Sequence, residues 1–264
     1  MSEKIFVIAE AGLNFCGSLD KALLMVDAAK AAGADAVKFQ TFLPSFDPKL
    51  SKYTLTDLEW NRLFGHTIEK EILFMSTPFD RWAVDLLKNL GVMHWKVPSG
   101  ELTNDEYLRS IPDQAQTIYL STGMANMDEI NHALDVLPNP VDREIYLMYC
   151  VSGYPTQAKQ SNLLTIQRWR DAFPQYEMGF SDHSTPMDFE NSHLAVALGA
   201  TAIERHFQLN ELEECPDTDV SVISGEELKE YVRGIREVEA RLGDGFKTLM
   251  PCEKATLKVR NRFK

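Results

Sequence analysis

The chain has 264 residues, with 39 acidic against 27 basic side chains and a formal net charge of −12. Hydrophobic residues at 44% and charged residues at 25% argue against disorder and supply enough apolar surface for a large core. The acidic balance disfavours nucleic acid or an anionic membrane as partner, so any anion site rests on a few basic groups placed locally.

The N-terminus, MSEKIFVIAEAG, has one short apolar run followed at once by Glu10, which fits no signal peptide. Four cysteines, Cys16, Cys150, Cys215 and Cys252, lie far apart and form no CxxC pair, so neither a zinc ribbon nor a disulfide framework is indicated. No run approaches the ~18 apolar residues of a membrane span. A cytoplasmic protein of a reducing compartment is expected.

Eight short apolar runs read as strands: residues 5–9, 36–41, 73–77, 94–99, 117–122, 144–150, 177–181 and 201–207. Helical patterns follow several of them. After the first, Ser18 caps residues 19–32 and Gly33 stops them. Residues 43–70 are the least regular and read as an extended loop with a short helix inside, of the kind that shapes a substrate site. Helical spacing returns over residues 80–90, stopped by Gly91, and over 191–198, stopped by Gly199. Ser224 and Glu227 read as a capping box ahead of a helix running to about Leu242. Eight βα units without a linker predict a single-domain α/β fold, a (β/α)8 TIM barrel over residues 1–250, with a basic tail over 251–264. A doubly wound open sheet is the alternative, but the first strand leads into Glu10 rather than a GxGxxG loop.

Strand alternation then sorts side chains. In residues 37–40, Val37 and Phe39 share one face and Lys38 and Gln40 the other; in residues 203–207, Glu204 and His206 oppose Ile203 and Phe207. With the apolar face against the helices, Lys38, Gln40, Glu204 and His206 point into the barrel, and Glu10 and Lys96 occupy similar places. Internal salt bridges would account for each alone. Their gathering at the C-terminal strand ends, where barrel enzymes build active sites, favours a ligand site, because buried charges seldom recover their desolvation cost. His183 after the seventh strand and His206 on the eighth lie on neighbouring strands, within reach of one divalent ion. The alternative is a pair of hydrogen-bonded core or loop histidines. Lys38 and Lys96, with the hydroxyls of Thr77, Ser99, Ser121, Ser152 and Ser181, all fall at strand ends and together would cradle a phosphate.

The segments IAEAG with Asn14, GADAVKFQT (33–41), STPFD (76–80), KVPSGE (96–101), STGM (121–124), Tyr154-Pro155, SDH (181–183) and ERHF (204–207) occur in that order. Together they resemble the sialic acid synthase family, which condenses phosphoenolpyruvate with an N-acetylated amino sugar, and the resemblance runs from about Ile5 to about Glu253. It implies that His183 and His206 are metal ligands for Mn²⁺ or Mg²⁺. It implies phosphoenolpyruvate contacts at Lys38, Thr77, Lys96, Ser99, Ser121, Ser152 and Ser181. Glu10, Gln40, Tyr154 and Asp217 look like contacts to the sugar, and Glu101 resembles a glutamate near the reacting carbons. Glu10 and Glu101 are the two carboxylates expected to move protons.

Three departures fall on the acceptor side. Asn14 is followed by Phe15 and Cys16 where members commonly carry Asn-His. The loop after the second strand looks short. Bacterial members usually append an antifreeze-like domain that reaches across a swapped dimer, and this sequence stops at Lys264. The expected partners are phosphoenolpyruvate and a small sugar, in a homodimer, with a separate chain completing the acceptor site as one possibility. A Schiff-base aldolase using Lys38 or Lys96, and a non-catalytic barrel that binds a phosphorylated ligand, are the competing functions.

Overall fold

The computed structural model describes residues 4–138, 143–210 and 215–260. Eight parallel strands, β1 (Phe6–Gly12), β2 (Ala36–Thr41), β3 (Leu73–Pro78), β4 (His94–Val97), β5 (Thr117–Ser121), β6 (Glu144–Tyr149), β7 (Glu177–Asp182) and β8 (Ala202–Gln208), pair in sequence order. Pairing of β1 with β8 closes the barrel. The (β/α)8 expectation holds and the open sheet is excluded. A two-residue strand, β9 (Val222–Ile223), adds to β8 outside the closed ring.

Seven helices fill the βα connections: α1 (Leu19–Ala32), α2 (Asp57–Glu69), α3 (Arg81–Leu90), α4 (Asp105–Ser110), α5 (Met127–Val136), α6 (Leu164–Ala172) and α7 (Glu190–Ala197). An eighth, α8 (Glu226–Leu242), follows β9. Ser18 accepts from Lys21 N–H at the start of α1, and Asp80 accepts from Ala83 N–H at the start of α3. Gly33 and Gly91 end these helices in the left-handed conformation that an L side chain resists.

Two local expectations fail. The 43–70 segment holds a full barrel helix of 13 residues, α2, preceded by a single 3-10 turn at Ser51–Tyr53. A reciprocal Thr56–Glu59 capping box starts it, and Trp60, Leu63 and Thr67 are its buried residues. The Ser224–Glu227 box does not form. Gly225, at φ 82°, turns the chain at the N-cap, so Ser224 Oγ donates to Leu209 O and Glu227 accepts from Ile223 N–H.

Two apolar layers sandwich the strands. Outside, Phe15, Phe39, Trp60 and Phe74 interlock edge-on and stacked, with ring centroids 5.9–6.5 Å apart. Inside, Ile8, Met75, Met148 and the stacked pair Tyr119–Tyr146, 4.8 Å between centroids, fill the lower barrel. Above this plug the inward positions turn polar, and the register sets them side by side: Glu10 opposite Lys38 and His206, Gln40 opposite Thr77, Ser181 opposite Glu204. No described helix is long and apolar enough to cross a membrane.

Candidate active site

A cavity of about 370 Å³ opens at the C-terminal ends of the strands. Its floor is a buried quartet from four strands. Lys38 Nζ lies 2.7 Å from Glu10 Oε2 and 3.6 Å from Glu204 Oε2. Lys96 Nζ donates to both oxygens of Glu204, at 2.7 and 2.8 Å. Ser181 Oγ adds a hydrogen bond to Glu204 Oε1, and Lys38 also reaches Thr77 Oγ1 at 3.4 Å. Burial works against the Glu204 carboxylate, yet the two ammonium groups hold it well below the usual carboxylate range. Burial also works against the Lys38 cation, but Glu10 and Glu204 raise it above an ordinary lysine. At Lys96 burial, with the neighbouring Lys38 charge, outweighs Glu204 and leaves it lowered.

One wall is a polar cradle. Ser99 Oγ accepts from Gly123 N–H at 3.1 Å and touches Cys150 Sγ at 3.3 Å. A Cβ placed on Gly123 would stand 2.2 Å from Ser152 Oγ and 2.7 Å from Ser99 Oγ. Glycine is therefore required for the backbone to approach two hydroxyls this closely. Ser121 borders the same space.

The opposite wall carries the imidazoles. His183 Nδ1 donates to Val151 O at 2.9 Å, which leaves the Nε2 lone pair facing Tyr154 OH at 3.2 Å and Ser181 Oγ at 3.3 Å. Burial and the neighbouring His206 push its pKa down to about 4. His206, its ring centroid 5.7 Å from that of His183, has Nδ1 3.2 Å from Asp217 Oδ2, though the two are not aligned as a hydrogen bond. Burial opposes its protonation, but Asp217 outweighs this and raises its pKa. Gly12, at φ 52° beyond a register shift in β1, lets these groups close in: a Cβ there would lie 2.8 Å from Asp217 Oδ2 and 3.5 Å from Glu10 Oε1 and His206 Nδ1.

The chemistry of this wall fits a divalent cation. Two adjacent buried imidazoles face one space, and His206 Nδ1 and Asp217 Oδ2 are buried beside it without an aligned hydrogen bond. Among the described residues no three His, Cys, Asp or Glu side chains surround one point. A cation held here would keep positions for water or substrate oxygen.

Of the residues singled out from sequence, Glu10, Lys38, Gln40, Thr77, Lys96 and His206 meet in this cavity with Ser99, Ser121, Ser152, Tyr154, Ser181 and His183. Asp217 stands behind His206. Glu101 does not join them. It lies in a 3-10 turn after β4, accepts from Asn104 Nδ2 at 2.7 Å and borders a neighbouring cavity of about 200 Å³ with Arg81 and Glu106. Sequence reasoning gave no role to Glu204, although alternation had turned it inward, and it missed Cys150, which follows Tyr146 and Met148 at period two. Phe79 and Met124 supply an apolar edge to the mouth. Neither lysine is presented as an unpaired amine, which removes the support for a Schiff-base nucleophile.

Residues 48–247 match the model of the NeuB family. The chain is 38% identical over 281 residues to the N,N'-diacetyllegionaminic acid synthase of Campylobacter jejuni, covering 97% of this chain and 83% of that one. It is 33% identical to the N-acetylneuraminate-9-phosphate synthase of Homo sapiens, covering 95% and 74%. The solved N-acetylneuraminic acid synthetase of Leptospira borgpetersenii superposes with a TM-score of 0.88 at 31% identity, over 99% of this chain and 93% of that one. With the motifs in order, the barrel closed and the inward polar set gathered at one end, the chain belongs to the NeuB family.

Proposed function

We propose that this protein condenses phosphoenolpyruvate with the open-chain aldehyde of an N-acylated amino sugar, giving a sialic-acid-like 2-keto sugar acid and inorganic phosphate. The observation that carries this reading is the single cavity in which two buried ammonium groups, a hydroxyl-lined cradle and two adjacent imidazoles face one another. The names of the legionaminic acid synthase and the N-acetylneuraminate-9-phosphate synthase point the same way.

The phosphate of phosphoenolpyruvate would lie between Lys96 and the hydroxyls of Ser99 and Ser152 beside Gly123, with Ser121, Ser181 and Thr77 completing the donors. Lys38 would hold the carboxylate end from the Glu10 side. Both lysines already sit in fixed geometry against Glu204, so little reorganisation is needed when substrate arrives. A divalent ion of the Mn²⁺ or Mg²⁺ class, held by His183 and His206, would supply Lewis acidity to a carbonyl oxygen. Val151 O and Asp217 fix the two rings, and the lowered pKa keeps His183 neutral with its lone pair available. The sugar would enter over Gln40, Tyr154 and Asp217. C3 of the enol bonds to the aldehyde carbon, whose oxygen takes up a proton. Water then adds at C2 and gives up one proton, and the new C2 hydroxyl gives up its second to the departing phosphate as the C2=O bond forms and the bond from C2 to the phosphate oxygen breaks. Glu10 lines this space, with Oε2 paired to Lys38 and Oε1 accepting only a long 3.5 Å hydrogen bond from Gln40, and is placed to move those protons; Glu101 would need its turn to rearrange. Most of the remaining acceleration would come from holding the two reactants together.

A phosphate-release assay with phosphoenolpyruvate, Mn²⁺ and a panel of N-acylated hexosamines and aldoses tests the reaction, with mass spectrometry of the product. Release with at least one amino sugar is expected. No release with any acceptor, and no phosphoenolpyruvate-dependent thermal shift, would sink the reading. Undiminished metal-dependent turnover in His206→Ala would remove the ligand assignment while sparing the reaction class.

A further inference from the structure

Two thiols lie beside this machinery and take no part in it. Cys16 follows β1, in the left-handed conformation at φ 52°, and Cys215 follows β8, on the neighbouring strand of the barrel. Their Sγ atoms are 3.7 Å apart, and each lies 3.5 Å from the carbonyl oxygen of Asn14. Cys215 is buried and Cys16 only half-buried, which makes Cys16 the more open residue of the pair. The remaining cysteines differ: Cys150 is buried against Ser99, and Cys252 is exposed on the C-terminal segment.

The pair is tied to the acceptor wall. Asp217, two residues beyond Cys215, donates its N–H to Asn14 Oδ1 at 3.1 Å and places Oδ2 3.2 Å from His206 Nδ1. Asn14 in turn donates to Phe207 O and Ser221 Oγ. Any contraction between the two sulfurs, from 3.7 Å to the ~2.05 Å of a disulfide, draws on this network.

We propose that Cys16 and Cys215 are a peroxide-oxidisable dithiol that closes to an intramolecular disulfide and, once closed, weakens acceptor binding through Asp217. Hydrogen peroxide is the oxidant. The Cys16 sulfur attacks one peroxide oxygen, breaking the O–O bond and giving a sulfenic acid and one water. The Cys215 sulfur then displaces the hydroxyl as a second water, forming the S–S bond. Two thiol hydrogens leave with the two waters, and two electrons pass from the sulfurs to peroxide. The covalent half stands on the geometry alone; the effect on the acceptor rests on the proposed synthase reaction.

Peptide mapping of the folded chain after stoichiometric hydrogen peroxide tests the bond. A linked peptide joining Cys16 to Cys215 is expected in the native chain and in Cys252→Ser. It should be absent from Cys16→Ser and from Cys215→Ser, and lost on treatment with dithiothreitol. Both thiols still reduced, or a bond through Cys150 or Cys252 instead, would overturn the assignment. In the oxidised protein the acceptor KM should rise by about threefold or more, with the phosphoenolpyruvate KM unchanged and full recovery on reduction. An unchanged acceptor KM would refute the coupling through Asp217 and leave the disulfide standing. Absence of phosphate release from the reduced protein would fault the synthase reading, not the dithiol.

Discussion

Gly123 fixes how closely backbone can approach an anion at this site. Its φ is not unusual, so the constraint is space: a methyl at this position would collide with the hydroxyls of Ser152 and Ser99 and crowd the Cys150 thiol. Relieving the clash means turning both hydroxyls away, and for Ser99 that gives up the hydrogen bond its Oγ accepts from the Gly123 N–H. Gly123→Ala should therefore leave the barrel folded and raise the phosphoenolpyruvate KM by about tenfold or more, worth ~1.4 kcal/mol of binding. Steady-state kinetics beside circular dichroism would check it, and an unchanged KM would place the phosphate elsewhere. Glu204 shows the same economy from the opposite side. It is a counter-charge shared by two lysines, and its burial is tolerated because both of its oxygens are hydrogen-bonded.

At the scale of elements, the N-terminal end of the barrel is held by Asp35, just ahead of β2. Its carboxylate accepts from Val7 N–H at 2.9 Å and pairs with Lys4 and Arg236, so β1, β2 and α8 converge on one side chain. Burial alone would raise its pKa, but Lys4, the Val7 amide and Arg236 together lower it beneath the ordinary 3.8. A folded-state pKa below the unfolded one means the contribution is complete above about pH 4 and disappears as pH falls through the folded value. Asp35→Asn should cost about 1–3 kcal/mol at neutral pH, read from urea melts. The gap to the native chain should close as the titration is taken below pH 4, and a gap constant with pH would refute the charge argument. Elements such as β2 and β8 were legible in the sequence because period-two alternation sorts each side chain to one of two faces, and it turned Lys38, Gln40, Glu204 and His206 inward. The same rule gave nothing for Glu101, where Pro98 ends β4 and a 3-10 turn sets the direction of the side chain. Helix α2 was hidden because Gly65 lowers its helical propensity and its third buried position, after Trp60 and Leu63, is the polar Thr67, whose hydroxyl donates to Phe64 O. The Ser224–Glu227 motif had the right spacing, but Gly225 took the cap position and redirected both side chains.

The whole molecule carries −12, whereas in the cavity floor the lysines Lys38 and Lys96 are matched one for one by Glu10 and Glu204. A small polyanion therefore approaches against the long-range field of the protein and is rewarded only inside the cavity, where donors are within hydrogen-bonding distance. Screening acts on these two parts unequally. The Debye length falls from ~30 Å at 0.01 M to ~8 Å at 0.15 M, which removes the repulsion across the molecular surface but hardly touches contacts made in the buried floor. Phosphoenolpyruvate should consequently bind more tightly, by about twofold or more, as ionic strength rises over that interval. Isothermal titration in a chloride series at fixed divalent ion would measure it. Steadily weaker binding with added salt would mean that surface lysines and arginines, not the buried pair, dominate recognition of the anion, and that the acidic exterior is bypassed by a basic path to the cavity mouth.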